Sequence, residues 1–144
     1  LGLHLLAQGA RPNETQRLNI ANSLENLTQV LSMHDVLQLQ AATESVFVHN
    51  EIIQAVSNIV RDTRSHADIS LGASTRSGIA FIKCLRAYAM IRGRVFVIED
   101  DVKEIAFSVL DHRLVYKNKE GKINALKSII NKEIERLAKL KIAH

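Results

Sequence analysis

Asn50-Glu-Ile-Ile-Gln-Ala-Val-Ser-Asn-Ile-Val-Arg61 is the stretch whose reading decides the fold class. Ile52, Ile53, Val56, Ile59 and Val60 recur at i, i+1, i+4, i+7 and i+8, which lays apolar side chains along one face of a helix. Asn50 is a suitable cap, because its side-chain oxygen can accept from an N–H that the first turn leaves unbonded. Similar signals recur along the chain. Ser32 caps a short helix through Val36, Leu37, Leu39 and Gln40, with Asp35 in its first turn. Ser74 caps a long one that places Phe81, Leu85 and Tyr88 on one face, Ile82 and Ala89 beside them, and ends at Gly93. Asp100 or Asp101 starts the next, with Asp101 and Glu104 as its capping pair and Val102, Ile105, Ala106, Val109 and Leu110 as its stripe. After Gly121 a last helix runs to about Ile142, with Leu126, Ile129, Ile130, Ile134, Leu137 and Leu140 on one side. Ser65-His-Ala-Asp-Ile-Ser-Leu-Gly72, polar and ending in glycine, reads as a loop.

The expected fold class is therefore all-α, a small helical bundle. One proline, six glycines, no tryptophan and 4% aromatic residues are poor material for a turn-rich barrel or sandwich. Val46-Phe-Val48 and Val95-Phe-Val97 echo each other, each just before a capped helix, and could pair as a minimal two-stranded ribbon. A chain of 144 residues with 47% apolar and 24% charged residues can bury one core without a metal or a disulfide. The single cysteine, Cys84, excludes a disulfide scaffold, points to a reducing compartment, and reads as a buried structural thiol. No apolar run approaches the roughly 20 residues that span a bilayer, and the expected location is the cytoplasm.

Charge is unevenly placed. Residues 1–111 carry ten Lys/Arg against twelve Asp/Glu, and residues 112–144 carry nine against three, so the net +4 separates into −2 and +6. The basic segment permits two readings of its own: a helical module that binds nucleic acid, or an oligomerisation helix over 122–142 whose seam packs on another chain.

Catalytic motifs are mostly missing. There is no phosphate-binding Gly-x-x-x-x-Gly-Lys-Ser/Thr loop, no Gly-x-Ser-x-Gly elbow and no His-Glu-x-x-His pair. His66 with Asp68 is the only local metal candidate, and a plain loop histidine explains it better, so no metal site is expected. Asp111 and His112, adjacent on a helix, point apart. One constellation stands out: Gly72-Ala-Ser-Thr-Arg-Ser-Gly78 leads small residues into a helix whose first turn carries Arg76, with Lys83 and Arg86 at i+7 and i+10. Guanidinium at the positive end of a helix dipole suits phosphate. A solvated basic face gives the same spacing.

Gly72-Ala-Ser-Thr-Arg-Ser77, then Arg86-Ala-Tyr-Ala-Met-Ile-Arg-Gly-Arg94-Val-Phe-Val97, Glu99-Asp-Asp-Val102 and Val109-Leu-Asp-His-Arg-Leu114, together resemble the C-terminal helical lid of MoxR-family AAA+ ATPases. That family's pattern is Gly-Ala-Ser-Pro-Arg-Ala, then Ala-x-x-x-Gly-Arg-x-Tyr-Val-x-Pro-Glu-Asp-Val, then Val-Leu-x-His-Arg. Thr63-Arg64 and Val30-Leu-Ser32 also match. The resemblance covers about residues 30–114; it is loose over 1–29 and does not extend to 115–144. Thr75 and Glu99 stand where the family has proline, both near a helix start where proline is favoured but replaceable.

The resemblance implies three segments: a connector from an absent ATPase core at 1–31, a lid at 32–114, and a basic helix at 115–144. It places Arg76 at the sensor-2 position, both catalytic and nucleotide-binding, reaching the γ-phosphate of ATP held by the core. Such a contact is worth about 1.5–3 kcal/mol and stabilises charge on the transferring phosphoryl group. ATP and Mg²⁺ belong to the full-length parent. The chain alone is expected neither to bind ATP measurably nor to hydrolyse it, since one arginine does not offset roughly 4–15 kcal/mol of association cost. The implied partners are the chain's own ATPase core, neighbouring subunits of a ring, and a von Willebrand A domain protein, in a chaperone-like role. Nucleic acid and membrane are not expected partners.

Overall fold

A computed structural model describes Thr15 and residues 25–142. Most of the connector expected at 1–31 lies outside the described residues. The contacts divide the chain after Leu37, within helix α1 (Met33–Glu44). On the first side, Ser32 and Asp35 close a reciprocal cap: Ser32 N–H donates to Asp35 Oδ2 at 2.7 Å, and Asp35 N–H donates to Ser32 Oγ at 3.1 Å. The hydroxyl of Ser32 also donates to that carboxylate and holds it below its ordinary pKa. Helix α1 has no buried residue.

From residue 38 on, the bundle comprises α2 (Asn50–Ser65), α3 (Thr75–Ile91), α4 (Glu99–Leu110), a 3-10 turn (Asp111–Arg113) and α5 (Lys119–Ile142). Helix α3 packs on α4 and α2, and α5 packs on α2 and α4. The expected periodicities supply the core: Val56, Ile59, Phe81, Leu85, Val102, Leu110 and Leu126 are all buried. Ile53, expected on the α2 stripe, is 41% exposed, while Ala55 and Thr63 take core positions. The cap of α2 is His49, one residue before the expected Asn50; its Nδ1 accepts from Glu51 N–H. Helix α3 ends as expected at Gly93, whose φ of +73° is a left-handed value that glycine adopts without strain. There Gly93 N–H donates to Met90 O and Arg94 N–H to Ala89 O, both at 2.9 Å.

The two Val-Phe-Val segments do meet, by a single parallel bridge: Phe47 N–H donates to Val95 O at 2.8 Å and Val97 N–H to Phe47 O at 2.9 Å. Val46, Val48 and Val97 turn into the core, and Phe47, Val95 and Phe96 face out. The two-stranded sheet forms elsewhere. Strand β1 (Ile69–Leu71), inside the expected loop, pairs antiparallel with β2 (Val115–Tyr116), with Ile69 opposite Tyr116 and Leu71 opposite Val115. Only the long-range partner reveals it, and no pattern within 65–72 signals that partner.

Helix α5 contributes to this same core. Ala125, Leu126, Ile129, Ile130 and Leu137 are buried in it, with Ile134 and Leu140 packed at its edge. The seam read as a possible oligomer contact is thus spent within the chain.

Candidate functional site

The turn into α3 is built by α2. Thr63 is fully buried; its hydroxyl donates to Val60 O at 2.6 Å and accepts Ala73 N–H at 2.9 Å. Its neighbour Arg64 donates from Nε to Ala73 O at 2.8 Å and from Nη2 to Thr75 Oγ1 at 3.3 Å. Gly72 permits this approach, since a Cβ there would lie 2.6 Å from the Cα of Arg64. Ser74 then caps α3 as the sequence predicts, its Oγ accepting Ser77 N–H at 3.2 Å.

Arg76 is the second residue of α3, exposed, and engaged in no hydrogen bond or ion pair among the described residues. It stands at the end where unbonded N–H groups and the helix dipole favour an anion. Lys83 and Arg86 do not join it. At about 1.5 Å of rise per residue they leave the axis roughly 10 and 15 Å further along. Lys83 is exposed, and Arg86 is half-buried with its Nε shielded from solvent and without an acceptor. Beside the helix start runs an open groove of about 300 Å³ between α2 and α3, floored by Ile53, Val56, Val60, Ile79 and Ile82 and flanked by Arg61 and Arg64.

The remaining candidates resolve into local structure. Cys84 is exposed, not buried as expected, because it lies off the Phe81, Leu85 and Ala89 face of α3. His66 Nδ1 accepts Asp68 N–H at 3.2 Å, a turn contact, and no group of three metal-ligating side chains occurs among the described residues. Asp111 accepts from Tyr116 Oη at 2.9 Å and faces Lys122 at 3.5 Å, while His112 is exposed. Burial, then the bond to Asp111, pushes the Tyr116 hydroxyl well above its ordinary pKa.

The basic segment is matched in part by the acids of the bundle. Lys132 pairs with Asp62 at 2.7 Å; Arg136 pairs with Glu133 at 2.8 Å and with Glu51 at 3.0 Å; Lys141 pairs with Glu99. Glu133 is itself buried and accepts also from Asn58 Nδ2 at 3.0 Å. Sequence reading locates these charges and misses their pairing with α2 and α4, which joins residues 42 to 85 apart. The nucleic-acid reading loses part of its free cations this way: Lys132, Arg136 and Lys141, with Lys122 on Asp111, are four of the nine.

The AAA lid domain family matches residues 61–144, which hold the helical bundle from the end of α2 through α5. This chain belongs to the AAA lid domain family. The match includes residues 115–144, which the motif-by-motif resemblance leaves out, and it agrees with the packing of α5. The lid is 34% identical to YeaC of Bacillus subtilis over 95 residues, covering 66% of this chain and 30% of that protein. It is 36% identical to the chaperone MoxR1 of Mycobacterium tuberculosis over 96 residues, covering 60% of this chain and 26% of that one. It therefore spans less than a third of the curated relatives it matches. A crystal structure of a candidate ATPase from Cytophaga hutchinsonii superposes with a TM-score of 0.61 over 88% of the lid and 43% of that chain; at 22% identity this speaks to the fold. The lid is thus of the MoxR-like AAA+ type. No described helix of it is long and apolar enough to cross a membrane.

Proposed function

We propose that this lid is the sensor-2 subdomain of a MoxR-like AAA+ ATPase, in which Arg76 reports the γ-phosphate of ATP held by the ATPase core of the same subunit. The observation that carries the reading is Arg76 itself: exposed, unengaged among the described residues, and in the first turn of a capped helix whose preceding turn is rigidly held. An arginine there without a side-chain partner among the described residues retains its hydrogen-bonding capacity for an anion. In this reading residues 1–31 connect to the core, and ATP with Mg²⁺ is bound by the parent. Phosphate contact draws the lid toward the core, and its release lets the lid swing, moving neighbouring subunits of a ring. Kinship to MoxR1, a chaperone by name, supports a chaperone-like role in maturing or assembling partner proteins. Proteins with von Willebrand A domains are the partners that the family resemblance suggests, and the cytoplasm is the location.

Arg76→Ala in the full-length protein tests the assignment. Loss of one charge-assisted contact is worth about 1.5–3 kcal/mol, so ATP turnover is expected to fall roughly tenfold to a hundredfold, measured as phosphate release at saturating ATP. Turnover equal to that of the unmodified protein overturns the sensor role.

A further inference from the structure

Thr75 opens α3 at the position where the resembled family carries proline. A proline there fixes φ near about −65° and loses no hydrogen bond. The site is compatible with it: Thr75 N–H makes no hydrogen bond among the described residues, and Ser74 sits at φ −82° and ψ 165°, the extended region that a following proline requires. What this chain has in place of the ring is a hydroxyl, and that hydroxyl accepts from Arg64 Nη2 at 3.3 Å. The same guanidinium holds Ala73 O through Nε at 2.8 Å. Its two acceptors lie on either side of the cap residue Ser74, so the planar fork spans the cap and ties both flanks to α2.

We propose that Arg64 is a positioning residue for Arg76, its fork on Ala73 O and Thr75 Oγ1 holding the helix start, with the arm to the Thr75 hydroxyl supplying the restraint that a proline at that position would otherwise provide. Arg64 touches no phosphate in this role. It fixes the first turn of α3, so that Arg76, one residue past Thr75, leaves the helix in one direction. The inference rests on the sensor reading of Arg76 for its purpose, though not for its geometry.

The test is amide exchange by NMR at Ser77 and Gly78, whose N–H groups bond back to Ser74 O at 3.0 and 3.3 Å. The chain is compared with Arg64→Ala, Arg64→Lys, Thr75→Pro and the double variant Arg64→Ala/Thr75→Pro. Arg64→Ala is expected to speed exchange at these two amides about tenfold, with the amides of α4 unchanged, as for local opening. Lysine keeps the charge and loses the two-pronged donor, so Arg64→Lys recovers less than half of the effect. Thr75→Pro in the alanine background returns exchange to within about twofold of the original, because the ring restores the lost restraint without restoring any contact. A merely structural arginine would not be rescued in this way.

Unchanged exchange in Arg64→Ala, or failure of proline to rescue it, overturns the proposal. Should Arg64→Ala not fold, Thr75→Val, which removes only the hydroxyl, carries the same comparison with and without Arg64→Lys. Exchange needs no nucleotide, so the two readings separate. The expected exchange pattern combined with unaltered ATP turnover in the full-length Arg76→Ala protein keeps the clamp and overturns the sensor role.

Discussion

Asp101 is reached by three donors at once: Arg94 Nη1 at 2.8 Å and Ile98 N–H at 2.9 Å on Oδ2, and Arg94 Nη2 at 2.5 Å on Oδ1. It is 2% exposed, so its charge depends on these partners for the solvation that water no longer gives. Asp101→Ala strands the guanidinium and reopens the start of α4. The expected loss is about 3 kcal/mol, the lower end for breaking a buried pair, since Arg94 keeps some access to water. Urea denaturation checks this, and a loss below about 1 kcal/mol contradicts the buried pairing. The acids at 99–101 announce a helix start in the sequence, but the expected pairing of Asp101 with Glu104 runs the wrong way. Asp101 is the third helical residue and reaches back to Ile98, and its stronger partner Arg94 is delivered by the turn at Gly93. A local motif cannot show that delivery. Ser74 and Ser32 were legible as caps because every atom of those contacts lies within three residues.

Helix α5 shows what periodicity can and cannot tell at the scale of an element. Its apolar stripe is plain in the sequence, but a stripe does not say which surface it meets. Charge alone made 115–144 look separable, whereas the acids of α2 and α4 receive Lys132, Arg136 and Lys141. One of these contacts has a readable pH dependence. The hydrogen bond from Lys141 holds the Glu99 carboxyl below its ordinary value of 4.5 despite partial burial. A carboxyl lowered in the folded state binds its proton later than in the unfolded chain. Its stabilisation is therefore complete above the unfolded value and is lost as pH falls from about 4.5 through the lowered folded value. The C-terminal turns of α5 are expected to gain amide exchange, relative to the intrinsic rate, over that interval. Glu99→Gln should remove this part of the response, and an identical acid profile in the variant contradicts the assignment.

For the whole bundle, the decisive question is whether α5 is an appendage or a wall. The helical class was readable early, because amphipathic periods recur in every long segment and turn-forming residues are scarce. The arrangement was not, because which stripes face one another is set by contacts across tens of residues, as with the packing of α5 on α2 and α4. If α5 is a wall, removing residues 119–144 exposes the surfaces that Leu126, Ile129, Ile130 and Leu137 now cover, each of these being at most 6% exposed. Full burial of one such side chain is worth about 1.5–3 kcal/mol, so the four together reach about 6–12 kcal/mol. A domain's whole stability is about 5–15 kcal/mol, and the Asn58–Glu133 hydrogen bond is lost as well. The chain cut after Asn118 is accordingly expected to lose cooperative unfolding, seen by calorimetry as the absence of a sharp transition and by NMR as collapsed amide dispersion. An appendage would leave the melting midpoint of residues 38–118 within a few degrees of the uncut chain, and that outcome would remove α5 from the lid core.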